Sequence, residues 1–228
     1  MTGEFWLGLL ELILINIVLS GDNAVVIALA CRNLPSEQQK KAIFWGSMGA
    51  VLLRVVLTFV AVWLMHIPLV QVVGSILLLF IAIKLLKGDD AEEHIQSGAN
   101  LKEAIRTIII ADVVMSLDNV LAVAGAANNN MVLIIIGLAI SIPLIIWASQ
   151  LLMALMTRFP TIVILGAALL GYTAGEMILS DRIVGEHLEA WVPHIHYALP
   201  ILLAVFVVVT GKLGGRKDRD KHEPHTAS

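Results

Sequence analysis

Seven apolar runs of bilayer length divide the 228-residue chain, and few folds are open to such a sequence. They cover approximately residues 5–30, 42–64, 67–86, 105–127, 131–156, 160–179 and 197–213, each near the ~20 apolar residues a helix needs to cross hydrocarbon. Backbone N–H and C=O groups in lipid must be satisfied within the segment itself, so each run is expected to be a helix. Composition agrees: 58% hydrophobic and 14% charged residues are more apolar matter than a water-soluble core of this size hides. The predicted class is therefore all-α, a polytopic membrane protein with seven transmembrane helices. Residues 1–30 lack a basic n-region and a small-residue cleavage site, and Asn16 and Asp22 interrupt the run, so a retained first helix is expected. The single Cys31 excludes an intramolecular disulfide and a Cys-rich zinc site, and it falls just past the first run as a structural helix-end residue.

The basic residues are segregated. Arg32, Lys40, Lys41, Lys84, Lys87, Lys102, Arg106 and Arg158 occupy alternate connections, and Lys212, Arg216, Lys217, Arg219 and Lys221 follow the last run. The opposite set of connections holds Arg182 alone, 13 against 1 with Arg54 left inside a span. Such asymmetry marks the cytoplasmic side and predicts an N-terminus outside and a C-terminus inside. It reports topology; nucleic-acid binding is not indicated.

One polar signature occurs twice within these runs. Asn16-x-x-x-Ser20-Gly21-Asp22-Asn23 is followed 96 positions later by Asp112-x-x-x-Ser116-Leu117-Asp118-Asn119. A repeat of three spans is odd, so the second copy must enter the membrane from the other side. Gly46 matches Gly137, and Val73-Gly74 with Lys84 match Leu165-Gly166 with Glu176 at a separation of 92. The expected organisation is a single transmembrane domain: a first three-helix repeat (5–86), a cytoplasmic connector (87–104), an inverted second repeat (105–179), a seventh helix (197–213) and a cytoplasmic tail (214–228). Inverted repeats of this kind build secondary transporters with a site near the midplane.

A carboxylate deep in a bilayer costs about 2.5 to 3.5 kcal/mol even on lenient insertion scales, so Asp22 and Asp118 imply a compensating cation. Asp22 and Asp118 offer anionic oxygens, Asn23 and Asn119 amide oxygens, and Ser20 and Ser116 hydroxyls. That set suits Mg²⁺, Ca²⁺ or Mn²⁺ and is poor for soft metals. In a helix Asn16, Ser20 and Asn23 share one face while Asp22 points about 120° away, so convergence of all four requires a break, which Gly21 permits and Leu117 in the second copy disfavours. Ser20, Ser116 and Asn16 are equally suited to bonding neighbouring helices. Asp112 is either a ligand or a proton site. Glu176, toward the outer end of the sixth run, is either an exit-path acid or a water-reaching anchor. Arg54, midway along the second run, needs an acidic partner, Asp112 or another, or contacts substrate. Ala167, Gly171 and Gly175 recur every fourth position, and Gly46, Gly49 and Ala50 cluster, which predicts close packing against the motif helices.

The runs IVLSGDNAVVIALA and IADVVMSLDNVLAVA, on seven spans with a Glu in the sixth, resemble the TerC family of bacterial integral membrane proteins, and most of all its short branch without cytoplasmic regulatory domains. The resemblance covers nearly the whole hydrophobic region. It implies manganese efflux across the bacterial cytoplasmic (inner) membrane, a historical association with tellurite resistance and membership of a superfamily of small cation and amino-acid exporters. The position of Asn16 is often acidic in such proteins, as Asp112 still is in the second copy. The expected function is export of a hard divalent cation, Mn²⁺ foremost, by a non-enzymatic transporter. Its metal-site residues are expected to be Asp22, Asn23, Asp118, Asn119, Asp112, Ser20, Ser116, Asn16 and Glu176. No catalytic residue and no cofactor is expected; the divalent ion is substrate, the lipid bilayer is the setting, and a homo-oligomer is compatible with the sequence. An intramembrane aspartyl protease is the alternative from another class, but Leu19 stands where Gly-x-Gly-Asp has its first Gly and no Tyr-Asp partner appears. A non-transporting subunit that presents metal to other machinery is the third reading.

Overall fold

The computed structural model describes Leu10 and residues 21–64, 67–87, 97–126, 131–192 and 194–220, with some side chains inside these helices left undescribed. Every regular element among the described residues is a helix: α1 (Gly21–Cys31), α2 (Ser36–Leu64), α3 (Val70–Lys87), α4 (Ser97–Ala126), α5 (Met131–Arg158), α6 (Pro160–Ser180), α7 (Val184–Trp191) and α8 (Ile195–Asp220). Among the described residues four stretches are long and apolar enough to cross a membrane: Ser36–Thr58, Val70–Lys87, Pro160–Ser180 and Ile195–Leu213. Gly21–Cys31 and Ile142–Arg158 are shorter apolar helices. The helix α4, with 30 residues, carries the charged Lys102, Glu103, Arg106, Asp112 and Asp118.

The helix α1 is the centre of the assembly. It touches α2, α4, α5 and α6, and its residues from Asn23 to Leu29 are all buried, as expected of a helix that is apolar on every side. One core cluster joins Val25, Val26 and Leu29 to Leu78 of α3, Val114 and Met115 of α4, Met177 of α6 and Val207 of α8. A second joins Ile27 and Cys31 to Ile43 of α2, Ile108 of α4 and Ile145 of α5. Large apolar side chains such as Trp45, Leu52, Phe80, Trp147 and Leu165 point outward, an exposed apolar belt of the kind that lipid covers.

Missing side chains set the closest helix approaches. A Cβ on Gly46 or Gly49 would lie 2.8 Å from Ile108 Cδ1 or Ile109 Cδ1, so α2 lies against the motif helix α4 as its small residues suggest. The stripe on α6 behaves differently. A Cβ on Gly171 would meet Leu203 O at 2.7 Å and Ala204 Cα at 2.9 Å, and one on Gly175 would strike the Pro200 backbone. Gly171 and Gly175 therefore serve the crossing with α8, whereas the approach of α6 to the motif helix α1 is made by Gly166, whose Cβ would lie 2.9 Å from Val25 Cγ1. Spacing every fourth residue defines a face but leaves open which neighbour it meets.

The connection between α6 and α8 is more structured than its hydropathy suggests. It holds α7, whose start is fixed by the buried Asp181, with Oδ1 accepting from the N–H groups of Ile183 at 3.1 Å and Val184 at 3.2 Å. On the other face of the molecule Lys84 bonds Glu103 between α3 and α4, with both side chains 44% exposed. A bridge that wet contributes about 0 to 1 kcal/mol, so apolar packing and not this pair joins the two helices.

Candidate metal-ion site

Residues of the two motifs meet across a cavity of about 580 Å³. Asp22 of α1 and Asn119 of α4 line it, together with Tyr172, Thr173, Glu176 and Ser180 of α6 and His196 of α8. The α6 contribution has a simple local cause: positions 172, 173, 176 and 180 fall on one face of a helix. Asp22 Oδ1 accepts the N–H of Asn23 at 2.8 Å, which orients the carboxylate at the described start of α1. The donor set is two carboxylates, an amide, three hydroxyls and an imidazole. Among the described residues no three His, Cys, Asp or Glu side chains are gathered tightly enough to hold a metal by themselves. A cation here would take its remaining ligands from amide, hydroxyl, backbone or water oxygens, as hard ions commonly do.

A second, much smaller void lies between α1, α2, α4 and α5. About 10 Å³ in volume, it is lined by Asn23, Ser47, Arg54, Asp112 and Ile145 among others, and its size is that of one water molecule. Arg54 is 2% exposed and its nitrogens reach the second motif: Nε donates to Ser116 Oγ at 2.9 Å and Nη2 to Asp112 Oδ1 at 2.5 Å. Ser116 Oγ donates in turn to Asp112 Oδ2 at 3.3 Å. A lone buried charge is strongly disfavoured, and this bonded pair answers the demand that Arg54 places on the bilayer interior.

The nine residues anticipated for the site thus separate. Asp22, Asn119 and Glu176 share the large cavity. Asn23 and Asp112 line the small void, and Ser116 is bonded to Arg54. Asn16 and Ser20 lie outside the described residues, as does the side chain of Asp118. Because α4 is continuous through its motif, the seven-residue step from Asp112 to Asn119 advances ~10 Å along the axis, so one helix feeds both chambers at different depths. Four of the polar cavity residues escape a motif-based reading. Tyr172 and Thr173 stand one turn before Glu176 and Ser180 one turn after it, findable from its helical face; His196, outside every motif, is brought in by the α6 and α8 crossing alone.

A family model for the integral membrane protein TerC family matches residues 1–219, nearly the whole chain. The chain belongs to the TerC family. This TerC protein is 43% identical over 209 residues to the uncharacterized membrane protein YjbE of Bacillus subtilis (strain 168), covering 92% of this chain and 95% of that one. It is 31% identical over 182 residues to the UPF0053 protein YegH of Escherichia coli (strain K12), where 71% of this chain matches 34% of a longer protein. The uncharacterized membrane protein YceF of Bacillus subtilis (strain 168) is 24% identical over 208 residues, 87% of this chain and 78% of its own. No solved structure matches this TerC chain. Family membership and the apolar helices together make it an integral membrane protein.

Proposed function

We propose that this protein is a transporter that expels a hard divalent cation, Mn²⁺ foremost, from the cytoplasm across the bacterial inner membrane. The observation that carries the reading is the meeting of Asp22, Asn119 and Glu176 around one cavity of about 580 Å³. These residues come from both copies of the duplicated motif and from the sixth expected span, far apart in sequence, and their oxygens match the preference of a hard ion. Asp118 supplies a further carboxylate one residue from Asn119 in sequence. The manganese preference comes from the TerC resemblance, since oxygen ligands alone serve Mg²⁺ and Ca²⁺ equally.

Helix neighbours support a seven-span inverted repeat. The helix α2 packs on α4 while α1 packs on α5, and α3 packs on α6, its own counterpart. Exchange of partners between halves is what a pseudo-two-fold axis produces. Gly74 and Gly166, matched in sequence, follow the same exchange: a Cβ on Gly74 of α3 would lie 3.3 Å from Val114 of α4, and one on Gly166 of α6 would lie 2.9 Å from Val25 of α1. With the N-terminus outside, as the basic residues require, Glu176 and Ser180 lie toward the outer end of α6 and the cavity faces the extracytoplasmic half, as for ion release.

Flux into vesicles containing only the purified protein tests the proposal. Mn²⁺ should cross faster than in protein-free vesicles, and Asp22→Asn should abolish the difference. Absence of flux from well-folded wild-type protein would refute a self-sufficient transporter and favour a metal-presenting subunit.

A further inference from the structure

Asp112 and Ser116 hold, in the second motif, the positions of Asn16 and Ser20 in the first. In a symmetric metal site both would face the ion. Here a side chain takes them up: Arg54 bonds Ser116 Oγ at 2.9 Å and Asp112 Oδ1 at 2.5 Å, while Asp112 Oδ2 accepts from Ser116 at 3.3 Å. Each carboxylate oxygen already has a donor, and Arg54 and Asp112 are 2% and 8% exposed. Asp112 is absent from the lining of the large cavity.

The repeat register supplies a second, independent observation. The match of Gly46 with Gly137 places Ile145 at the register of Arg54, and the motif match places Asn16 at that of Asp112. One half of the duplication therefore carries Arg with Asp, and the other carries Ile with Asn. Both charges are present together or absent together, as in a self-neutralising pair. A ligand set would have no reason to bring an arginine with its carboxylate. Arg54 and Ile145 line the same small void.

We propose that Arg54 is a tethered cation that fills the Asp112 and Ser116 position of the second motif, so that the transported metal is held on the Asp22 and Asn119 side and Asp112 is not among its ligands. The proposal rests on reading the large cavity as the metal site. The geometry makes the site asymmetric: a divalent ion near Asp112 would have to displace Arg54 from its bonds to Asp112 and Ser116, whereas an ion beside Asp22 leaves those bonds in place and meets Arg54 already neutralised by Asp112.

Mn²⁺ titrated calorimetrically into purified wild type, Asp112→Asn, and Arg54→Ile combined with Asp112→Asn tests this, with elution profile and melting curve reporting the fold. The double variant reproduces the Ile and Asn of the other half and removes both charges of the pair, leaving neither partner stranded, so it should fold. It should bind Mn²⁺ within about threefold of wild type, against the about tenfold or greater loss expected on removing a group that supports the metal. Asp112→Asn alone leaves the guanidinium uncompensated and should weaken binding by about tenfold, a loss that adding Arg54→Ile restores. A folded double variant that binds about tenfold more weakly than wild type would make Asp112 a ligand and overturn the proposal. Unchanged binding in folded Asp112→Asn would overturn the counter-charge role. Failure of the cavity reading looks different: Asp22→Asn would then bind Mn²⁺ as wild type does, and both inferences would fall.

Discussion

Asp22 and Asn23 are adjacent in sequence and line different chambers. Asp22 faces the cavity of about 580 Å³ shared with Asn119 and Glu176, while Asn23 faces the water-sized void beside Arg54. The cause is helix geometry, since successive side chains point about 100° apart. One Asp-Asn dipeptide therefore joins the large cavity to the small void. In the second copy Asn119 lines the large cavity, and Asp112, seven residues earlier, lines the small void. The two copies reach similar surroundings through different residues.

Removal of the Asp22 charge should abolish export. Asp22→Asn keeps the size of the side chain and loses its anionic ligand, so a manganese-sensitive host expressing it should be as sensitive as one carrying an empty vector. Asp118→Asn is expected to do the same. Membrane abundance measured in parallel separates lost transport from lost protein, and full protection by both variants would remove the paired aspartates from the site.

Glu176→Gln should weaken the site without closing it. Glu176 is exposed to the cavity, so the amide should be tolerated structurally while divalent affinity falls by about tenfold, equivalent to about 1.4 kcal/mol. Calorimetric titration with Mn²⁺ gives the number. Equal affinity in the variant would make Glu176 a water-reaching anchor.

Breaking the buried ion pair should be felt in stability. Arg54→Ile alone strands Asp112, 8% exposed, and loss of one partner of a buried pair costs about 3 to 5 kcal/mol. Melting in detergent should fall accordingly. Adding Asp112→Asn removes the stranded charge, and most of the loss should return; no recovery would show that Asp112 has no unpaired charge to relieve.

Gly175→Ala should loosen the seam between α6 and α8. Its new methyl would meet the Pro200 backbone, which a rotamer change does not move. Overpacking of this kind costs about 1 to 3 kcal/mol. Gly21→Ala provides the contrast, since among the described residues nothing lies within 4 Å of a Cβ there. A smaller loss at Gly175 than at Gly21 would mean that α8 is not held where the structure has it.

Reporter fusions check orientation. A reporter after Ser228 should be cytoplasmic and a tag ahead of Met1 extracytoplasmic, as the 13-to-1 distribution of basic residues requires. Both ends on one side would contradict an odd number of spans and the inverted repeat with it.

The sequence by itself determined that this protein is helical and membrane-embedded, that it belongs to the TerC family and that its polar residues come in a duplicated motif. Hydropathy, charge asymmetry and motif spacing are properties of neighbours along the chain, so they survive without coordinates. The close approach of Gly46 and Gly49 to α4 follows the expected pattern for the same reason: small residues cluster where a backbone must pass. Tertiary structure decided the partners. It gave Gly171 and Gly175 to α8, tied Arg54 to Asp112 and Ser116, placed Asp22 and Asn23 in separate chambers and brought His196 to the cavity wall. Those outcomes depend on how each helix is rotated about its axis and which helix it meets. Periodicity fixes the face a residue occupies; the packing of the whole bundle fixes what that face touches.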